Sequence, residues 1–186
     1  MALPSLSGAF NALKIKKNRD LACVGAGMGA LMAGAKLPGL ALFAKGMVGL
    51  EKEWRAKREF DGTWSERFEK AAVFYEGTHQ DPTNRVLHRI GIPMILGGAA
   101  GLIVFPAYRP FWLTSHALFT VGWGLNLVGH GVYEKNKPAF ADDPLSFLMG
   151  PLWDLQQARS GGAPEPAAPT APEPVAVEQP LEPALA

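Results

Sequence analysis

The sequence predicts an all-α protein, an integral membrane helical bundle built around one transmembrane hairpin. Two stretches of 19 residues, 90–108 and 111–129, contain no Asp, Glu, Lys or Arg and are separated only by Arg109 and Pro110. At 1.5 Å per residue each stretch would form a helix about 28 Å long, close to the hydrocarbon thickness of a bilayer. Glycines are frequent in both stretches, as they are in membrane helices. The alternative is a soluble bundle that buries both helices.

The composition argues against several classes of protein. Lys and Arg total 18 against 17 acidic residues, a formal net charge of +1. This balance argues against a nucleic-acid-binding protein that depends on phosphate contacts, so no nucleic-acid partner is expected. Cys23 is the single cysteine of the sequence. An internal disulfide framework and a cysteine zinc cluster are therefore excluded.

The sequence divides into three regions of different composition. Residues 1–58 contain two apolar runs between basic clusters, which predict an N-terminal pair of apolar helices interrupted at residues 36–39. Residues 59–159 contain the hairpin and are predicted to form the functional membrane domain. Residues 160–186 contain seven prolines and four glutamates but no basic or aromatic residue. Such a segment buries too little apolar surface to offset its ordering entropy, so a disordered tail is predicted.

Periodicity and capping residues predict how the chain enters the hairpin. Residues 64–78 place apolar side chains at helical spacing, which predicts an amphipathic helix. The sequence His79-Gln80-Asp81-Pro82 then breaks that helix. Asp is a favoured N-cap residue and Pro a favoured first helical residue, so a new helix is predicted to begin at Pro82 and to continue into the hairpin.

The distribution of basic residues predicts the orientation of the hairpin. Arg109 is the one basic residue at the turn, whereas four lie at the open end: Arg85, Arg89, Lys135 and Lys137. The positive-inside tendency then puts the open end in the cytoplasm. In a bacterial cell the membrane would be the inner membrane, and a site at the open end would face the cytoplasm.

Three of the four histidines are predicted to converge at this open end. His88 enters the first helix of the hairpin, His130 leaves the second, and His79 lies in the preceding break. His116 lies near the turn, about 20 Å away at 1.5 Å per residue. Three imidazoles at one place suit Zn, Fe, Ni or Cu, although any single interfacial histidine is more often structural. Glu134 follows His130 by four residues and would share its face if the helix continued.

Two sequence blocks resemble a known membrane family. The first is Phe74-Tyr75-x-x-x-His79-x-x-Pro82-x-Asn84-Arg85-x-x-His88-x-x-Gly91-x-Pro93. The second contains Gly129-His130-Gly131-Val132-x-Glu134-Lys135-x-x-Pro138-Ala139. Together they resemble the 2-hydroxy fatty acid dioxygenases, which include a fungal enzyme of phytosphingosine degradation, over about residues 64–157. The fungal enzyme has further membrane spans between the two blocks, whereas here a short hairpin separates them.

The resemblance implies an Fe(II)-dependent α-oxidation in which a 2-hydroxy fatty acid and O₂ give the fatty acid one carbon shorter, CO₂ and water. It implies that His79, His88 and His130 hold the iron, and no family histidine corresponds to His116. Three further residues are assigned to catalysis or substrate binding. Arg85 is expected to pair with the substrate carboxylate or with a lipid phosphate. Glu134 is expected to orient an imidazole N–H or to ligate the metal, and Asn84 to cap or hydrogen-bond within the site.

Two other functions remain open at this point. The first is a non-enzymatic membrane scaffold or lipid-binding protein whose histidines are structural. The second is a zinc-dependent membrane hydrolase that uses Glu134 as a general base. The sequence also leaves open a homo-oligomer, the chain length of the substrate and a fourth iron ligand.

Overall fold

A computed structural model describes residues 15–160, which form six α-helices and no strand. The all-α prediction is confirmed for this part of the chain. All of the predicted tail except Ser160 lies outside the described residues. The helices are α1 (Lys16–Met32), α2 (Lys36–Lys57), α3 (Trp64–Gly77), α4 (Pro82–Val104), α5 (Pro110–Val128) and α6 (Ser146–Ser160). A π-helix, Gly129–Glu134, continues from α5, and a short 3₁₀ helix, Ala139–Ala141, precedes α6.

The helices α1 and α2 form one antiparallel hairpin, and α4 and α5 form another. The turns of the two hairpins meet at one end of the bundle. There the Nζ of Lys36 donates to the carbonyls of Ile103 and Phe105, at 2.7 Å each, and the hydroxyl of Tyr108 donates to the carbonyl of Ala33 at 2.8 Å. Buried apolar side chains fill the space between the hairpins near this end: Leu31, Ile95, Leu102, Trp112 and Phe119.

The turn of the first hairpin falls earlier than the sequence predicts. The chain reverses at residues 33–35, where Gly34 has a φ of +83° that other residues rarely adopt. The helix then resumes at Lys36 and contains Pro38. Proline is tolerated there because the first turn of a helix does not use that N–H. The expected interruption at residues 36–39 is therefore the first turn of α2.

The helices α4 and α5 approach each other closely along a line of glycines. A Cβ added to Gly122 would lie 2.7 Å from the carbonyl oxygen of Gly91, and one added to Gly98 would lie 2.6 Å from the backbone nitrogen of Phe119. Larger side chains at these positions would force the backbones apart. We call this line of contacts the glycine seam.

The helices α3 and α6 cover the end of the bundle opposite the turns. The amphipathic helix predicted at residues 64–78 is confirmed as α3, which begins with a capping box between Thr63 and Glu66. Its apolar face packs through Ala71 and Tyr75 against Met149 of α6 and against Leu145, the residue that precedes α6. The predicted start of the next helix is also confirmed, since the carboxylate of Asp81 accepts from the backbone N–H groups at the beginning of α4.

A buried ion network joins α2 and α3 to the segment before α6. Arg67 on α3 has a fully buried side chain. Its guanidinium contacts Glu51 of α2, with the closest distance 2.9 Å, and Asp143 at 2.6 and 3.0 Å. Two carboxylates therefore compensate one buried cation, as a guanidinium removed from water requires.

One of the described helices, α4, is long and apolar enough to cross a membrane. A buried core helix of a soluble protein satisfies the same criteria, so the transmembrane hairpin predicted at 90–108 and 111–129 stays a prediction. Both stretches are helical, as α4 and α5. The boundaries of the three predicted regions, 1–58, 59–159 and 160–186, also stay predictions.

Candidate metal centre

Three histidine side chains meet at the end of the bundle that α3 and α6 cover. The rings of His79, His88 and His130 form a triangle in which every pair of ring centroids is 4.8 Å apart. The three side chains are buried, and their candidate ligand atoms lie within 4.8 Å of one another. This arrangement could hold a metal ion. The convergence of these three residues was expected from the antiparallel hairpin.

Each histidine comes from a different local structure. His79 lies in the break between α3 and α4, and His88 lies in the second turn of α4. His130 is the second residue of the π-helix that follows α5. A π-helix inserts an extra residue into a helical turn and often occurs at functional sites.

Each imidazole uses its Nδ1 to bond an oxygen. The Nδ1 of His79 lies 2.7 Å from the carbonyl oxygen of Tyr75, and that of His88 lies 3.0 Å from the carbonyl oxygen of Asn84. The Nδ1 of His130 lies 2.7 Å from the side-chain Oδ1 of Asn136. Because these oxygens accept hydrogen bonds, each Nδ1 carries the proton in the neutral imidazole. The lone pair of each ring is therefore on Nε2.

The surroundings of His79 keep its imidazole neutral. Burial lowers the pKa of His79 to about 3, and the hydrogen bond to the carbonyl of Tyr75 only partly opposes this effect. The ring of Tyr75 stacks on the imidazole at a centroid distance of 3.8 Å. The Nε2 of His79 is buried without a hydrogen-bond partner among the described residues. A buried, neutral nitrogen with a free lone pair fits a metal ligand.

A family model described as 2-hydroxy-palmitic acid dioxygenase Mpo1-like matches residues 65–160, just over half of the sequence. The chain belongs to this family. All three histidines lie within the matched residues, whereas α1 and α2 lie outside them. No curated protein and no solved structure matches the chain.

Glu134 contacts backbone and not an imidazole. Its carboxylate accepts from the N–H of Gln80 and, at 2.8 Å, from the N–H of Asp81. Every Nδ1 of the cluster already has another partner, so the expected contact between Glu134 and an imidazole N–H is not formed. The reason is the π-helix, which changes the direction of the chain after His130. Glu134 instead fixes the loop that carries His79.

The other residues expected at the site lie beside the cluster. The Nε of Arg85 donates to the carbonyl of His79 at 2.6 Å, and its guanidinium lies 5.5 Å from the ring centre of Trp153. Asn84 is fully buried and supplies the carbonyl that orients His88. The ring of His116 packs against Trp112 near the other end of α5, away from the cluster as expected.

Asn136 is a site residue that the sequence analysis missed. Its Oδ1 accepts from the ring of His130, and its Nδ2 donates to the carbonyl of Thr78 at 3.0 Å. One amide therefore connects the π-helix to the loop that carries His79. The signal in the sequence is weak, because the residue lies beyond a left-handed residue, Lys135, that ends the π-helix.

An apolar cavity opens next to the histidines. Its walls come from α4, α5, the segment at residues 138–140 and α6, and none of its described lining residues is Asp, Glu, Lys or Arg. Trp123, Phe140 and Phe147 form a cluster on one wall, with ring centroids 5.9 to 6.5 Å apart. No pattern in the sequence predicted α6, so this wall of the cavity was not expected.

The two glycines that flank His130 provide a matched pair of variants. A Cβ added to Gly129 would collide with the Oδ1 of Asn84 and lie 3.4 Å from the ring of His88, whereas one added to Gly131 would meet nothing within 4 Å. We expect Gly129→Ala to lower metal affinity about tenfold or more, because it displaces the residue that orients His88. Gly131→Ala should bind metal like the wild type. Metal content after dialysis against buffered metal measures the metal affinity of both variants, and circular dichroism is the folding control. Equal losses of bound metal in the two variants would contradict this account.

Asn136 is expected to hold His130 in its binding orientation. Asn136→Ala removes the acceptor for Nδ1 and should lower metal affinity by about 10–100-fold, the usual cost of losing a partner of a ligating histidine. Asn136→Asp retains an acceptor and should lose less. Lys137→Ala, at an exposed neighbouring position, is the control. Titration of the purified variants with metal measures the affinities, and wild-type affinity in Asn136→Ala would disprove the orienting role.

Proposed function

We propose that this protein is an iron-dependent dioxygenase that shortens 2-hydroxy fatty acids by one carbon. The observation that carries the proposal is the convergence of three buried imidazoles in a chain of the 2-hydroxy-palmitic acid dioxygenase Mpo1-like family. In the reaction the 2-hydroxy acid and O₂ give the shorter fatty acid, CO₂ and water. The substrate loses four electrons and O₂ gains four, so no other reductant is required.

The metal is assigned to His79, His88 and His130 through their Nε2 atoms. Neutral imidazoles suit Fe(II), and three protein ligands leave coordination positions for other groups. When bound, Fe(II) supplies the redox chemistry by which O₂ oxidises the substrate. Tyr75, Asn84 and Asn136 fix the rings through their oxygen atoms.

The remaining residues are assigned to binding the substrate. The apolar cavity beside the histidines accepts the acyl chain, since its described lining has no charged Asp, Glu, Lys or Arg side chain. Arg85 lies at the histidine end, where its guanidinium also lowers the pKa of His79. A cation at that place suits the carboxylate of the substrate. Glu134 holds the loop of His79 through the backbone N–H groups of Gln80 and Asp81.

A membrane location is part of the proposal. Large apolar side chains on α4 and α5 are exposed, among them Val104 at 71% and Phe111 at 70%. Exposed apolar surface of this kind is typical of contact with a membrane or a partner. Basic residues cluster at the histidine end, which favours a site that faces the cytoplasm, at the inner membrane in a bacterium.

Replacement of the histidines tests the proposed reaction. His79→Ala, His88→Ala and His130→Ala should each lose most bound iron and most O₂-dependent conversion of 2-hydroxyhexadecanoic acid, because each removes a ligand. His116→Ala is the matched control and should keep both. Iron is measured in the purified protein, and the product one carbon shorter is measured by mass spectrometry.

The same experiment separates the competing functions. Full iron content in all three variants would refute the metal assignment. Loss of zinc but not iron, with no requirement for O₂, would refute the dioxygenase and favour a hydrolase. Loss of iron in His116→Ala to the same extent would contradict the site geometry.

The membrane location predicts the behaviour of the full-length chain in cell extracts. The protein should sediment with membranes and resist extraction with alkaline carbonate, because the apolar surface of α4 and α5 is costly to expose to water. A peripheral membrane protein from the same cells is the control for extraction. Recovery of the protein as a monomer without detergent would disprove the membrane hairpin.

A further inference from the structure

Two side chains that line the apolar cavity each have a buried oxygen atom without a hydrogen-bond partner among the described residues. Asn126 on α5 and Ser146 at the start of α6 both line the cavity, and they are only 9% and 4% exposed. The Oδ1 of Asn126 and the Oγ of Ser146 are buried without a hydrogen-bond partner among the described residues. A buried polar atom without a partner is destabilising, so such atoms in a cavity indicate a ligand that bonds them.

Asn126 lies close to the three histidines. Asn126 precedes His130 by four residues and therefore lies about one helical turn, or about 6 Å, from it along the chain. Its Oδ1 also faces Gly91, which is close to His88 on α4. The apolar part of the cavity continues along α4 through Ile92, Ile95 and Leu96. Asn126 is thus placed between the histidines and the part of the cavity that suits an acyl chain.

The chemistry of the two side chains suits a hydroxyl better than a carboxylate. An amide and a hydroxyl can each donate and accept, and so can an alcohol. A carboxylate would require a cation or several N–H donors, and the described cavity lining contains no Lys or Arg. The cation at the histidine end is Arg85, whose Nε donates to the carbonyl of His79, and it is the group assigned to the substrate carboxylate. Trp123 also lines this cavity and has a buried Nε1 without a partner among the described residues, but an indole can only donate.

We propose that Asn126 and Ser146 bind the 2-hydroxyl group of the substrate and so select 2-hydroxy acids over unsubstituted fatty acids. This inference rests on the proposed function and adds a specificity determinant to it. A site built to bond a hydroxyl rejects the analogue that lacks it, because its own polar atoms are then left buried and unpaired.

Binding of two acids that differ in one oxygen tests the inference without turnover. Full-length protein in detergent is titrated with 2-hydroxyhexadecanoic acid and with hexadecanoic acid, each in competition with radiolabelled 2-hydroxyhexadecanoic acid and at equal metal content. The wild type should prefer the 2-hydroxy acid by tenfold or more. Ser146→Ala and Asn126→Leu should each reduce that preference about tenfold, the usual effect of one hydrogen bond, while affinity for hexadecanoic acid is kept or improved.

Two controls accompany these variants, one for folding and one for the binding preference. Ser146→Ala removes a single unpaired oxygen and should keep the melting temperature of the wild type. Ser115→Ala is a matched control, since Ser115 is also buried but donates to the carbonyl of Phe111 and does not line the cavity. It should keep the wild-type preference.

The outcomes distinguish this inference from the proposed function. Equal binding of the two acids by the wild type, or an unchanged preference in both variants, would overturn the inference and leave the dioxygenase proposal intact. Binding of neither acid by the wild type would overturn the proposed substrate class and the inference with it.

Discussion

The glycine seam between α4 and α5 is the contact on which the candidate site depends. Gly91 faces Gly122 along this seam, and Asn84 faces Gly129. The second contact lies seven residues before Gly91 and seven residues after Gly122, as expected for antiparallel helices, so the two helices keep one register up to the open end. That register brings His88 and the π-helix of His130 together. A side chain at any contact point would separate the helices, and the imidazoles would separate with them.

The buried Arg67 network extends this dependence to the part of the chain outside the family match. Glu51 of α2 is one of its two carboxylates, and the other belongs to Asp143, three residues before the start of α6. Because α6 forms a wall of the cavity, the position of that wall is coupled to α2 through a fully buried guanidinium. Phe43 of α2 adds a second link, since its ring lies 5.4 Å from that of Phe147 on the cavity wall. Helix α2 therefore supports the wall of the cavity from outside the family match.

The sequence predicted those features that follow from pattern and topology. Apolar runs and capping residues located α3, α4 and α5, and the antiparallel return of the hairpin predicted that His79, His88 and His130 converge. The sequence did not predict the contacts that form where α5 is followed by the π-helix, because these contacts depend on side-chain geometry. The π-helix and the left-handed Lys135 redirect the chain, so Asn136 and not Glu134 reaches an imidazole. No periodicity in the sequence reports such a change.

The segment that follows α5 also explains why two of the three histidines are expected to act as a unit. Asn136 holds His130 twice, through the ring and through a backbone hydrogen bond of 3.1 Å to its carbonyl, and its amide also bonds Thr78 next to His79. Glu134 bonds the backbone on the other side of His79. The loop of His79 is thus held on both flanks by the segment that carries His130, whereas His88 is fixed by its own helix. A change in the loop of His79 or in the segment that follows α5 should therefore affect both His79 and His130. Substitutions in this loop and in this segment should not have additive effects on metal binding.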